Sequence, residues 1–307
     1  MDSAHAGVRL VGLKSCTHPA ASASHSSEGT DLLTGKMLTP NQISEFKECG
    51  VLLGPKVYDR RECEKLRGRL ADVIAGRSET RPEATRNLLG TADQVVIQII
   101  NIWQADTLFR EHLYHPLICQ MVSQLVGHHV VRVWHDQVQY KPPRLGGVTA
   151  WHQDYPFWPV IEPADLVTAW VALEDATVEN GCMWMVPRSH LWGIHKRGII
   201  GTELNDFAPT PDVASLPVGA LVCPTPYPVP AGHVIFHHCL TWHGSPANGS
   251  ERGRPAVAVH YMPGYTRYEP ERTHFLQRHI AVNPGEPLEG QFFPTVWDNG
   301  PRKVAGN

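Results

Sequence analysis

Residues 151 to 158 read WHQDYPFW, and His152 and Asp154, two apart, are residue types that bind divalent metals. In a chain with 18 histidines such a triplet arises about once by chance, so its surroundings must decide its meaning. It follows the Pro/Gly turn region KPPRLGGVTA, which predicts an extended segment whose alternate side chains both reach one ion. A second histidine completes a two-histidine, one-carboxylate facial set, which suits non-haem Fe(II) because three open positions remain. His243, in LTWHGSPANGS just past the strand-like run HVIFHH, is the candidate. Eleven residues further on, Arg254 opens a run in which Arg254, Ala256, Ala258 and His260 share one strand face. A fixed guanidinium beside small side chains is a bidentate receptor for a carboxylate. If 2-oxoglutarate chelates the iron through its keto-acid end, its far carboxylate needs such an anchor, and one position is left for O2.

These residues need elements to hold them. LTPNQISEFKECG predicts a helix capped by Thr39, with Pro40 at its first position, an apolar stripe through Ile43 and Phe46, and Gly50 at its end. RRECEKLRGRLADVIAGR predicts a second, with Cys63, Leu66, Leu70 and Ile74 at three- and four-residue steps. Between about 92 and 127, Val96, Ile99, Ile100 and Trp103, then Leu108, Leu113, Leu117, Met121 and Leu125, read as further helix closed by Gly127. From residue 129 the pattern changes to short β-branched and aromatic runs, HVVRVWHDQVQY, DLVTAWVALE, GCMWMVP, GHVIFHH and RPAVAVHYMP. Without a βαβ rhythm these predict a mainly β fold, an antiparallel sandwich or barrel with flanking helices. The Pro-rich stretch 190–231 reads as an insertion over the barrel mouth, a candidate lid. No internal repeat is found.

Composition excludes several classes. At 307 residues, 42% hydrophobic and 19% charged, the chain has the material for one large core. A net charge of −3 without a basic run gives no reason to expect nucleic acid or an anionic membrane, so a small molecule is the expected partner. Seven cysteines, odd in number and with no CxxC pair, predict free thiols rather than a disulfide framework or a zinc site. No apolar stretch approaches the roughly 20 residues that span a bilayer. Residues 1–36 lack a signal-peptide core and are rich in Ser, Ala, His and Gly, which predicts a flexible tail, a single domain over 37–307 and a cytoplasmic protein. An organelle transit peptide is the alternative reading of that tail.

From about 37 to 275 the chain resembles the phytanoyl-CoA dioxygenase family of Fe(II)/2-oxoglutarate oxygenases. The likeness rests on LTPNQISEFKECGVLL, QYKPPRLGGVTAWHQD, TAWVALEDATVENGCMWMVPRSH, and HGS followed by an arginine eleven residues past its histidine. It implies a double-stranded β-helix, or jelly roll, with His152, Asp154 and His243 on iron and Arg254 on the far carboxylate of 2-oxoglutarate. By the same resemblance Ser245 bonds that carboxylate, while Trp170, Gln137 and Thr149 line the co-substrate pocket. Thr149 stands three before His152, and its short side chain makes it the weakest of these matches. The implied reaction is oxidative decarboxylation of 2-oxoglutarate to succinate and CO2, coupled to hydroxylation of a substrate C–H bond. Related iron halogenases carry a small residue in place of the carboxylate, so Asp154 argues for hydroxylation, desaturation or ring formation instead.

Simpler readings stand beside these. Trp170 can fill core, Arg254 can belong to a surface ion pair, and the adjacent His237 and His238 read as structural or as neighbours of the ligands. Tyr155, Phe157, Trp158, Trp103, Trp192 and Tyr227 suggest an apolar or flat organic substrate, though core packing explains several of them. Lys141, Arg144, Arg188, Lys196 and Arg197 are scattered, so nothing marks a CoA phosphate site, and the peroxisomal signals are absent. An acyl-CoA α-hydroxylase and a metal-binding jelly-roll module without turnover are the alternatives carried forward.

Overall fold

Thr39 accepts a hydrogen bond from the Gln42 main chain while the Gln42 side chain reaches back to the Thr39 N–H, and this reciprocal cap starts helix α1, Pro40–Cys49. Gly50 ends it in the left-handed region at φ 72° and turns the chain into strand β1, Val51–Lys56. A computed structural model describes residues 37–300 except 90, 93, 196–199 and 204–206; the tail expected at 1–36 lies outside the described residues. Asp59 and Glu62 cap α2, Arg60–Ile74, which buries Cys63, Leu66, Leu70 and Val73. After β2, Ala84–Asn87, and β3, Ile97–Ile100, come the short α3, Thr107–Leu113, and α4, Pro116–Val126.

The helix expected around Val96 to Trp103 is therefore a strand followed by one 3-10 turn, Ile102–Gln104. The run VVIQII is β-branched, and short apolar runs of that kind satisfy helical and strand spacing alike. Pairing decides the matter, because Ile97–Ile100 hydrogen-bonds to the next strand, β4 (Val130–Lys141).

The remaining strands are β5 (Thr149–His152), β6 (Ile161–Glu162), β7 (Val167–Ala172), β8 (Met183–Met185), β9 (Ile200–Glu203), β10 (Ala208–Pro211), β11 (Thr225–Tyr227), β12 (His233–His238), β13 (His243–Ser245), β14 (Arg254–Pro263), β15 (Arg267–Tyr268) and β16 (Thr295–Asp298). A large antiparallel sheet runs β1-β12-β7-β14-β4-β3-β2, with β16 on β4, and a smaller one runs β11-β8-β13-β5. Together they form the double-stranded β-helix expected from sequence. The large sheet is buried on both faces. Val167, Ala169 and Val171 of β7 and Val257, Val259 and Tyr261 of β14 pack with the helices, while Trp170, Ala172, Ala256 and Ala258 face inward with Met183 and Met185 of the small sheet. That inner face carries the polar side chains of the site.

The 190–231 stretch contains the β9-β10 hairpin and β11, so part of it belongs to the small sheet. Its Phe207 stacks on Trp151, with ring centroids 4.9 Å apart. Cys63, Cys119, Cys182 and Cys239 carry free thiols as expected, whereas Cys223 is disulfide-bonded. Among the described residues no helix is long and apolar enough to cross a membrane.

Candidate active site

His152 closes β5 and His243 opens β13, and the two are direct partners across these antiparallel strands, with ring centroids 4.2 Å apart. Each imidazole donates its Nδ1 hydrogen to the carbonyl two residues earlier, His152 to Ala150 at 2.7 Å and His243 to Thr241 at 2.9 Å. Those bonds set the tautomer and leave Nε2 with its lone pair for a metal. Gly244 lets β13 come so close: a Cβ there would meet the Thr149 carbonyl at 2.8 Å.

Asp154 does not continue the extended segment. The backbone turns helical at Asp154 (φ −71°, ψ −46°) and enters a 3-10 turn, Tyr155–Phe157, pinned by the N–H groups of Asp154 and Tyr155, which both donate to the Cys239 carbonyl. The turn brings Asp154 Oδ1 to 3.6 Å from His152 Nε2 and 3.7 Å from His243 Nε2. Ligand atoms of the three residues all lie within 4.8 Å of one another, so they can hold one ion.

The second carboxylate oxygen of Asp154 is held by the protein. His237 Nε2 lies 3.1 Å from Oδ2, and the Thr168 hydroxyl donates to it at 3.3 Å. Thr168 Oγ1 meets His260 Nδ1 at 2.7 Å, His260 Nε2 meets Gln137 Nε2 at 3.1 Å, and Gln137 Oε1 accepts from Gln98. Donors and acceptors agree along this chain if every hydrogen points toward Asp154. Burial opposes the charge on Asp154, but the imidazoles of His243, His152 and His237 hold it well below the usual carboxylate range. Burial, reinforced by His152, holds His243 down at about 3, in the neutral form that ligates.

A small cavity extends from the triad. Its walls include Gln137, Thr149, Trp170 and Ser245, four of the five residues expected at a co-substrate. The fifth, Arg254, is fully buried at the start of β14, its guanidinium carbon 5.3 Å from the centre of the Trp170 ring. Burial lowers its pKa to about 10, which leaves it charged at neutral pH. None of its three nitrogens has a hydrogen-bond partner among the described residues, and the same holds for Trp170 Nε1 and Thr149 Oγ1. Buried polar atoms are rarely left so, which marks this end of the cavity as built for a polar ligand.

Toward solvent the triad opens into a wider cleft, lined by Leu88, Leu89, Ile100, Trp151, Phe157, Trp158 and Phe275 among others. Of the aromatic residues expected in a pocket, Phe157 and Trp158 reach this cleft. Tyr155, Trp103, Trp192 and Tyr227 pack against the hydrophobic clusters instead. Sequence reasoning missed the roles of Thr168, His260 and Gln98. His260 lies on the strand face that the sequence had marked, whereas Gln98 was hidden by the helical reading of its segment.

A double-stranded β-helix carrying a His-Asp-His face at its mouth defines the class of Fe(II)/2-oxoglutarate-dependent oxygenases. Within it, the chain belongs to the phytanoyl-CoA dioxygenase (PhyH) family, which it matches over residues 46–256. It is 27% identical over 265 residues to phytanoyl-CoA dioxygenase domain-containing protein 1 of Mus musculus, covering 73% of this chain and 90% of that one. A probable phytanoyl-CoA dioxygenase of Caenorhabditis elegans is 26% identical over 247 residues, 74% of this chain and 76% of the relative. Among solved structures, the non-heme alpha-ketoglutarate-dependent carbocyclase SnoK from nogalamycin biosynthesis is 30% identical with a TM-score of 0.69, over 84% of this chain and 96% of that one. EctD from S. alaskensis, at 20% identity and TM-score 0.63 over 82% and 86% of the chains, shares the fold.

Proposed function

We propose that the protein hydroxylates a C–H bond of a small, largely apolar organic substrate, with His152, Asp154 and His243 holding Fe(II) and Arg254 anchoring 2-oxoglutarate. The observation that carries this reading is the fully buried, hydrogen-bond-free guanidinium of Arg254, 5.3 Å from the ring of Trp170, which lines the cavity that reaches the triad. Fe(II) with 2-oxoglutarate and O2 supplies oxidative decarboxylation to succinate and CO2 and the oxidation of a C–H bond. The chain's own residues do the positioning. His152 and His243 present fixed Nε2 lone pairs, Asp154 presents Oδ1 while His237 and Thr168 restrain Oδ2, and the Arg254 guanidinium would hold the far carboxylate. Ser245, Thr149 and Trp170 add polar contacts along the co-substrate, and the apolar cleft walls hold the substrate and exclude water from the reacting bond.

A second reading, oxidative ring formation, is favoured by the likeness to the carbocyclase SnoK. An acyl-CoA substrate is less well supported, because Arg86 is the one Lys or Arg among the residues lining the main cleft. The test needs no substrate. Anaerobic addition of Fe(II) and then 2-oxoglutarate should produce the visible charge-transfer band of a chelated keto acid. A well-folded, metal-loaded protein without that band would instead be a metal-binding module. With the band established, succinate release under a panel of flat organic compounds identifies the substrate, and product mass separates hydroxylation (one oxygen gained) from ring closure (two hydrogens lost).

A further inference from the structure

Lys141 ends β4 and is fully buried. Its Nζ donates to the carbonyls of Ser245, at 3.1 Å, and Pro246, at 2.5 Å, at the end of β13. The stem runs between glycines: a Cβ on Gly146 would meet Lys141 Cβ at 2.7 Å, and one on Gly181 would meet its Cδ at 3.4 Å. Across the β4-β14 ladder its direct partner is Arg254. Like charges directly opposite on adjacent strands repel, and burial removes the water that would screen them. Among the described residues no carboxylate forms a salt bridge with either cation. The titratable and charged groups facing Lys141 are Arg254 of β14 and Cys182 before β8; burial raises that thiol to about 11, so it is neutral near pH 7. The fold thus keeps two basic side chains side by side where an apolar side chain would pack at lower cost, a departure from stability rules that marks functional positions.

We propose that Lys141 is a positioning residue for the co-substrate: it tethers the Ser245-Pro246 turn and doubles the positive charge behind Arg254, so that this end of the cavity requires a carboxylate. The inference rests on the reading of Arg254 as the anchor. Burial, and next the Arg254 charge, hold the Lys141 ammonium well below the usual lysine range, and a carboxylate bound beside the pair would draw a proton back to it. Because the complex then holds that proton more tightly than the free protein, 2-oxoglutarate affinity should fall as pH rises through the titration of Lys141.

The experiment compares two ligands on Fe(II)-loaded protein under anaerobic conditions: 2-oxoglutarate, and 2-oxopentanoate, which has the same keto-acid head but a methyl where the far carboxylate would be. In Lys141→Met, 2-oxoglutarate affinity should fall tenfold or more while 2-oxopentanoate affinity stays the same, and Lys141→Arg should restore most of the loss. The ratio of the two affinities should decline with pH in the parent protein and be flat in Lys141→Arg. Equal weakening of both ligands would reduce Lys141 to a prop for the His243 strand, and unchanged binding of 2-oxoglutarate would remove its role; either result overturns the proposal. If the Met variant does not fold, the pH profiles decide, and a flat ratio in the parent protein overturns it. Failure of the parent reading looks different: Arg254→Ala would then bind 2-oxoglutarate as the parent protein does, whatever Lys141 contributes.

Discussion

The two ends of the small cavity are finished differently. At the end offered to a metal every candidate ligand is already bonded to the protein, His152 and His243 through Nδ1 to carbonyls and Asp154 through Oδ2 to His237 and Thr168. Away from the metal end, the buried Arg254 and the cavity-lining Trp170 Nε1 and Thr149 Oγ1 have no partner among the described residues. The difference teaches what each end is for. A metal needs ligands whose directions are set before it arrives, since outer hydrogen bonds orient them and tune their basicity. A departing and returning co-substrate needs groups whose bonding capacity is kept for it.

The largest effect should come from removing the common element of the metal end. Asp154→Ala should abolish 2-oxoglutarate turnover, by several orders of magnitude, while circular dichroism reports an intact fold; product formation at the parent rate would show that the carboxylate is not a ligand. Arg254→Ala should act on the other end alone. It should raise the 2-oxoglutarate requirement by about 2 to 4 kcal/mol, roughly 30- to 1000-fold, because a desolvated bidentate ion pair is lost. Fe(II) affinity should hardly change, and a comparable loss of metal binding would erase the division between the ends.

Much of this was legible in the sequence, and the illegible parts share a cause. Arg254, Ala256, Ala258 and His260 could be assigned to one face because alternation along a strand is local, and His152 and His243 because their neighbouring motifs are distinctive. Asp154 was expected on an extended segment, yet it reaches the site from a 3-10 turn fixed by the Cys239 carbonyl, a contact 85 positions away that no local pattern encodes. Gln98 was lost for a similar reason: VVIQII spaces its apolar residues ambiguously, and strand pairing with β4 settled its state. The Lys141 and Arg254 pair required the register of two distant strands before its repulsion could be seen.

A smaller effect is expected from the bonds behind the ligands. His237→Ala or Thr168→Val frees Oδ2 of Asp154 without removing a ligand, and should weaken Fe(II) binding about 10- to 100-fold. The 2-oxoglutarate affinity of protein saturated with Fe(II) should be nearly unaffected. If the two variants instead impaired 2-oxoglutarate and left the metal alone, the Asp154 network would belong to the co-substrate end.

The smallest effect tests whether a buried polar group that the protein serves poorly always signals a ligand. Asp136 neighbours Gln137 on β4 but lies on the other face, opposite Val259 in the helix-side core, and its carboxyl is met by no side chain, only by the main-chain N–H groups of Ile102, Trp103 and Asp136 itself. Neither the cavity at the triad nor the cleft beyond it is lined by Asp136, and burial pushes its pKa well above the ordinary value. The folded state therefore binds this proton more tightly than the unfolded chain. Stability is whole below the unfolded pKa and declines as pH climbs above it, by about 1.4 kcal/mol per unit until the folded pKa is reached. Asp136→Asn removes that dependence and should raise the melting temperature at pH 7 by a few degrees, about 1 kcal/mol or more, with the gain shrinking toward pH 4. Thr149→Val, which deletes a partnerless hydroxyl on the cavity side, should leave stability little changed but raise the 2-oxoglutarate requirement. Should Asp136→Asn affect 2-oxoglutarate and Thr149→Val affect only stability, the contrast between buried polar groups kept for a ligand and those that are merely a cost would be reversed.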